Sequence, residues 1–239
     1  MTLTKEALAR APLVVRATPY AWPYHGHFDP GRAALVACLD ARWRADRPGS
    51  DASDGRLVRL GASLRAAGGL VVVVTATSAR RRQPRCGGSA PTDSLAPPTD
   101  SRAAPTDTAP SDAGSASAEK LPARLVSDVV LGSGGTNAFF ESALDGLLRE
   151  RGRTDLVIAG WGLEGPVHST MRSANDRGYE CLLVADASTA IDESLAFAAC
   201  ETVLFSGGIF GAVADTADVV EPLDGRGAAP PHRSTDERE

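Results

Sequence analysis

The chain has 239 residues, 25 of them basic and 30 acidic, with a formal net charge of −5. That length can bury a core without covalent staples, and the mild acidity, with no sustained basic stripe, gives nucleic-acid binding no support. Four scattered cysteines make neither a disulfide framework nor a CxxC metal site, and no apolar run approaches the roughly 18–20 residues of a membrane span.

Met1–Arg10 reads as a helix of mixed charge and not as a signal peptide, so a cytoplasmic protein is expected. Arg16–Pro30 (RATPYAWPYHGHFDP) carries three prolines and reads as an extended arm pinned to the body by Trp22, Tyr24 and Phe28. Ala33–Leu39 is short and apolar throughout, the pattern of a strand buried on both faces. It ends on Asp40, which would either face a ligand at the strand's carboxyl end or cap the next helix. Residues 47–54 read as a loop, with Ser53 or Asp51 capping a helix over Gly55–Ala67. Gly68-Gly69 stops that helix, and Leu70–Thr75 is the second strand. The basic run Arg80–Arg85 reads as a solvated loop edge in preference to a phosphate site.

Gly87–Ser117 is almost wholly Ser, Ala, Pro, Thr, Asp and Gly, with the degenerate repeat APTDS, PPTDS, APTDT, APSDA. It lacks the apolar residues needed to offset ordering entropy, so a disordered insertion at about 87–119 is expected within a single domain spanning 1–225. Leu125–Leu131 reads as a strand, Gly132–Gly135 as a turn, and Ala138–Arg151 as a helix burying Phe139, Leu144, Leu147 and Leu148. The stretch from Asp155 to Ala187 reads strand, glycine turn (Gly160-Trp161-Gly162), helix, strand: a right-handed parallel βαβ unit. Ser188–Cys200 is a helix, Thr202–Phe205 a short apolar segment, Asp218–Glu221 a last strand, and 226–239 a disordered tail. The count gives a three-layer αβα sandwich with a five- or six-stranded parallel sheet, for which the order 3-2-1-4-5-6 is available. The GSGG turn fits neither the P-loop nor GxGxxG, so no cofactor is expected. His25 and His27 have no third ligand in view, so no metal is expected either.

Four blocks resemble the isochorismatase-like cysteine hydrolases, and most closely their biuret and triuret hydrolase branch. They are PYAWPYHG (Pro19–Gly26), AALVACLD (Ala33–Asp40), HSTMRSANDRGYECLLVADA (His168–Ala187) and GGIFGAVADTADVV (Gly207–Val220). The resemblance implies an α/β fold and an amide hydrolysis in which a cysteine attacks, an aspartate takes its proton and a lysine assists. Asp40 matches the aspartate. The cysteine position is Pro166, the lysine position is Ser133, and Arg42 replaces the glutamine of the family's Asp-x-Gln motif. Proline offers no nucleophile and no backbone N–H. The chain's two lysines, Lys5 and Lys120, lie elsewhere, and no cysteine falls between Cys86 and Cys181. Thiol-based hydrolysis is therefore not expected. The isochorismatases proper also do without the cysteine, but they keep the lysine.

Two readings of function stay open. In the first, a repurposed enzyme uses Asp40, assisted by Glu164, as acid or base on a small, largely apolar metabolite, in a cyclisation, rearrangement or vinyl-ether reaction. Trp161, Ser133, Pro166, Trp22 and Tyr24 would line its pocket. In the second, an inactive member serves as a structural, regulatory or ligand-binding partner of an active homologue, and a pocket closed on Pro166 and Trp161 would favour it. The resemblance implies a small-molecule ligand and a homodimer or higher homo-oligomer in both.

Overall fold

The computed structural model describes residues 13–43, 50–76, 122 and 124–225. The expected helix at Met1–Arg10, the basic run Arg80–Arg85, the insertion at about 87–119 and the tail 226–239 lie outside the described residues. Six strands, β1 (Ala33–Cys38), β2 (Leu70–Ala76), β3 (Val129–Ser133), β4 (Asp155–Trp161), β5 (Glu180–Thr189) and β6 (Ala212–Ala214), form one sheet in the order β3-β2-β1-β4-β5-β6. Every neighbouring pair runs parallel. This is the doubly wound order expected from the sequence, with the switch point between β1 and β4.

Alternation along the strands divides the core in two. Ala33, Leu35, Ala37 and Leu39 face α1 (Ser50–Ala66), α5 (Thr216–Gly225) and the N-terminal arm. Ala34, Val36 and Cys38 face α2 (Leu144–Glu150), α3 (His168–Asp176) and α4 (Glu193–Phe205). The arm is extended, as expected. Thr18 and Val213 exchange backbone hydrogen bonds of 2.9 and 2.7 Å, so the arm covers the outer edge of β6, an edge that would otherwise invite pairing. Trp22 and Phe28 are buried and pin it, but Tyr24 is 75% exposed and does not.

Several boundaries differ from the sequence reading, each for a local reason. The helix expected from Gly55 starts at Ser50, and Asp54, buried within it, accepts the Trp161 Nε1–H bond at 2.8 Å. The strand expected at Leu125–Leu131 is β3 at Val129–Ser133 and takes up part of the expected glycine turn; Asp128 ends the approach by exchanging bonds with the Val71 backbone. The helix expected from Ala138 begins only at Leu144. Asn137 Oδ1 accepts the Phe139 N–H and Ser142 Oγ the Leu144 N–H, side-chain bonds that compete with helix formation. The helix expected at Ser188–Cys200 is α4, five residues further on, because β5 continues to Thr189 and Asp192 supplies the cap; α4 also absorbs the expected apolar segment at Thr202–Phe205. The last strand is β6 and not Asp218–Glu221. Val219, Val220 and Leu223 bury at helical spacing in α5, whose first residue Thr216 donates both its N–H and its hydroxyl to Asp186 Oδ1 at 2.7 Å.

The Gly160-Trp161 turn expected after β4 is strand as well, reached through a register irregularity between Ile158 and Gly160. Gly160 has φ +133°, and a Cβ built on it would stand 2.2 Å from the Cys38 carbonyl oxygen. Both the dihedral and the contact require glycine. Gly160→Ala is expected to cost about 2–4 kcal/mol of stability through strain and overpacking, measured by urea denaturation.

Candidate functional site

The switch point places three of the expected residues together. Asp40 leaves β1 into a short 3-10 turn, Ala41–Trp43. That turn folds Arg42 back onto the carboxylate. The Arg42 backbone N–H donates to Oδ1 at 3.0 Å, and its Nε stands 3.0 and 2.8 Å from Oδ1 and Oδ2, with Nη2 2.5 Å from Oδ2. The pairing raises the Arg42 guanidinium above its ordinary value, as expected of a charge-assisted fork on a carboxylate. Both Asp40 oxygens are thereby occupied by the chain's own arginine.

Pro166 reaches the same place from β4. Gly162, at φ +82°, turns the chain into a π-type turn, Leu163–Val167, that leads into α3. Backbone N–H groups left free at such a turn could stabilise a developing oxyanion. Here the two N–H groups flanking Pro166, on Gly165 and Val167, both donate to the Gly162 carbonyl at 3.1 and 3.2 Å, and Pro166 has none to offer. Ser133, at the end of β3, is buried and donates its hydroxyl to the Gly135 carbonyl at 3.0 Å. Between Cys38, Asp40, Val74, Ser133, Ala138 and Pro166 the remaining cavity is about 10 Å³. Space of that size holds at most about one water molecule.

Cys38 belongs to this cluster and was read from the sequence only as a buried hydrophobe. Its thiol donates to Thr170 Oγ1 at 3.5 Å, and Thr170 Oγ1 also accepts the Ala138 N–H at 3.0 Å. Burial pushes the thiol up to about 11. Arg42 is the other residue whose part was missed. It appeared only as a departure from a motif, although an arginine two residues after a strand-end aspartate is itself a signal of a local clamp.

The other four candidates stand elsewhere. Trp161 is buried in the core on the α1 and α5 side, with its Nε1–H on Asp54, so it does not face Asp40. Glu164 accepts the Ile191 N–H at 2.9 Å and the Asp192 N–H at 2.6 Å, fastening the π-type turn to the segment before α4. Trp22 packs against Phe28 with ring centroids 5.8 Å apart. Tyr24 donates its backbone N–H to Glu180 Oε1 at 3.2 Å, beside the Tyr20 hydroxyl on the same oxygen at 2.9 Å. Glu180 opens β5, at the amino end of the sheet, whereas Asp40 lies at the carboxyl end. The expected pocket wall of Trp161, Trp22 and Tyr24 is therefore corrected: the arm and the β4 bulge send these rings to other parts of the fold.

A roomier cleft, about 890 Å³, lies at the carboxyl end of β5 between α1 and α4, with Ser53, Arg56, Asp186, Ser188, Phe197 and Asp215 on its walls. Arg56 pairs with Asp186 at 3.2 Å. Burial, and then the Asp186 and Asp218 charges, raise the Asp215 carboxyl above the ordinary carboxylate range. Among the described residues no three His, Cys, Asp or Glu side chains stand close enough to hold a metal ion, and no helix is long and apolar enough to cross a membrane.

Known proteins share this architecture. A family profile described as the isochorismatase domain matches residues 35–218. A solved isochorismatase family protein from Burkholderia thailandensis is 26% identical, with a TM-score of 0.58 over 82% of this chain and 97% of its own. An isochorismatase from Pseudomonas putida is 22% identical, with a TM-score of 0.55 over 80% of this chain and 92% of its own. The nicotinamidase of Staphylococcus aureus, 16% identical, superposes with a TM-score of 0.52 over 77% of this chain and 99% of its own, a likeness of fold. With the profile spanning well over half of the sequence, the chain belongs to the isochorismatase family.

Proposed function

We propose that this chain is a non-catalytic member of the isochorismatase family, acting as a cytoplasmic structural, regulatory or ligand-binding partner and not as a hydrolase. One observation carries the reading: at the position where the resemblance puts the reaction, Asp40 is clamped by Arg42 and the space above it is about 10 Å³.

Thiol chemistry finds no substitute nucleophile there. Burial pushes the Cys38 thiol up to about 11, so near neutral pH it is held in the protonated, non-nucleophilic form. A cysteine-independent cyclase or vinyl-ether lyase working through Asp40 needs a substrate-sized cavity over that carboxylate, and Glu164 is committed to two backbone N–H groups. A small-molecule ligand, on this reading, would take the cleft at the end of β5.

Two measurements test the proposal. Purified protein incubated with nicotinamide, biuret and a simple alkyl vinyl ether is expected to turn over none of them above the buffer rate, and Asp40→Asn is expected to leave stability within about 1 kcal/mol because Arg42 is largely solvated. Turnover that disappears in Asp40→Asn would restore the enzymatic reading. Iodoacetamide mapping of the native protein at pH 7.5 should leave Cys38 unmodified, with labelling rising only as the pH approaches the thiol's own value; fast labelling at neutral pH would show an activated thiolate.

A further inference from the structure

The amino end of the sheet holds a buried carboxylate that takes no part in the Asp40 site. Asp155 opens β4 and is 0% exposed. Its Oδ1 accepts the Thr154 hydroxyl at 3.0 Å, and its Oδ2 has no hydrogen-bond partner among the described residues. The arm lies against it. His25 Nε2 stands 3.6 Å from Oδ1, on a side chain that is itself partly exposed. His25 Nδ1 accepts the His27 backbone N–H at 3.2 Å, so in the neutral ring the hydrogen sits on Nε2, toward the carboxylate.

The neighbouring charges are engaged elsewhere or weaker. Arg32, in the turn before β1, donates to Thr154 Oγ1 at 3.0 Å and reaches Asp155 only through its field. Arg153 Nη1 is turned onto the Pro30, Ala33 and Gly68 carbonyls. Glu180, the register partner of Asp155 on β5, accepts the Tyr20 hydroxyl and the Tyr24 N–H. Burial and the Glu180 charge push the Tyr20 hydroxyl up, so it stays a donor. Burial raises the Asp155 carboxyl above the ordinary carboxylate range, outweighing the Thr154 hydroxyl, the His25 ring and Arg32, which all act to lower it.

We propose that the arm is a proton-operated strap: closing it over Asp155 draws one proton into the Asp155–His25 pair, so mild acid holds it and rising pH loosens it. Without that proton the pair carries one negative charge on a carboxylate that solvent does not reach. With it, on either partner, the net charge is zero. A buried charge without compensation is costly, whereas lifting the arm lets water hydrate the carboxylate. The closed form therefore binds the proton more tightly than the open one. A proton held more tightly in one form stabilises that form at low pH, and the advantage is lost as the pH rises past the point of release. Trp22 and Phe28 give the arm its apolar hold at every pH, and the pair makes that hold pH-dependent. The strap covers the outer edge of β6 at Val213, so the same proton sets how tightly that edge is sealed. None of this depends on whether the Asp40 site is silent.

Hydrogen exchange of the full chain at pH 5.5 and pH 8.5, corrected for intrinsic rates, tests the strap through the Val14, Thr18 and Trp22 amides, which bond within the arm and to β6. They are expected to be at least about tenfold better protected at pH 5.5, the effect of a one-unit difference in proton affinity between the closed and open forms. The amides of β1 should show no such change. Asp155→Asn keeps the side-chain shape but takes up no proton, so protection of the arm should differ less than about twofold between the two conditions. His25→Gln, at a partly exposed position, should move the loss of protection to lower pH, because Asp155 then holds the proton alone. Equal protection at both pH values in the wild type, or greater protection at pH 8.5, would overturn the proposal. So would a dependence that survives Asp155→Asn or is unmoved by His25→Gln.

Discussion

The approach of Gly160 to the Cys38 carbonyl, too close for any side chain, governs how β4 leaves the sheet. It joins β1 to β4 at the one place where the strand order reverses. Because the chain passes there with a left-handed glycine, β4 continues through Trp161, whose indole turns into the α1 side of the core. The turn that follows then carries Pro166 across the end of β1. A fold of this class usually leaves a crevice at its switch point; here the same geometry delivers a proline ring into it.

The Asp40–Arg42 pair completes the closure from the other side. Asp40 alone at a strand end would be an acceptor with free lone pairs facing a cavity. With a guanidinium two residues along folded onto it, the carboxylate is neutralised locally and its hydrogen-bonding capacity is met within the chain. The site thus keeps the architecture of its family while its polar groups bond to one another: Ser133 to Gly135, Thr170 to Ala138, Gly165 and Val167 to Gly162. A network satisfied internally gives up little to a ligand.

Most of the sheet was legible in the sequence for a simple reason. Strands buried on both faces read as continuous apolar runs, and β1, β2, β4 and β5 do. The two edge strands did not. Val130 of β3 is 55% exposed, and β6 is three residues, Ala-Val-Ala, with no pattern to set it apart from the turn before it. The last strand was expected at Asp218–Glu221, yet Val219, Val220 and Leu223 bury at helical spacing. At the site, Asp40 was legible from its place at a strand end, whereas Ser133 and Pro166 came into view only through the resemblance, which sets them at the family's lysine and cysteine positions. Trp161 and Glu164 were not, because the direction of each side chain depends on a bulge and on a contact 27 residues away.

The arm has a consequence for the order in which the molecule forms. Its anchors are Glu180, 160 residues from Tyr20, and the edge of β6 at Val213. Contacts that distant in sequence close late, after their loop entropy has been met by the rest of the fold. The arm can make its bonds to Glu180 and Val213 only once β5 and β6 have joined the sheet. Docking of the arm is then the event that seals the β6 edge of the sheet.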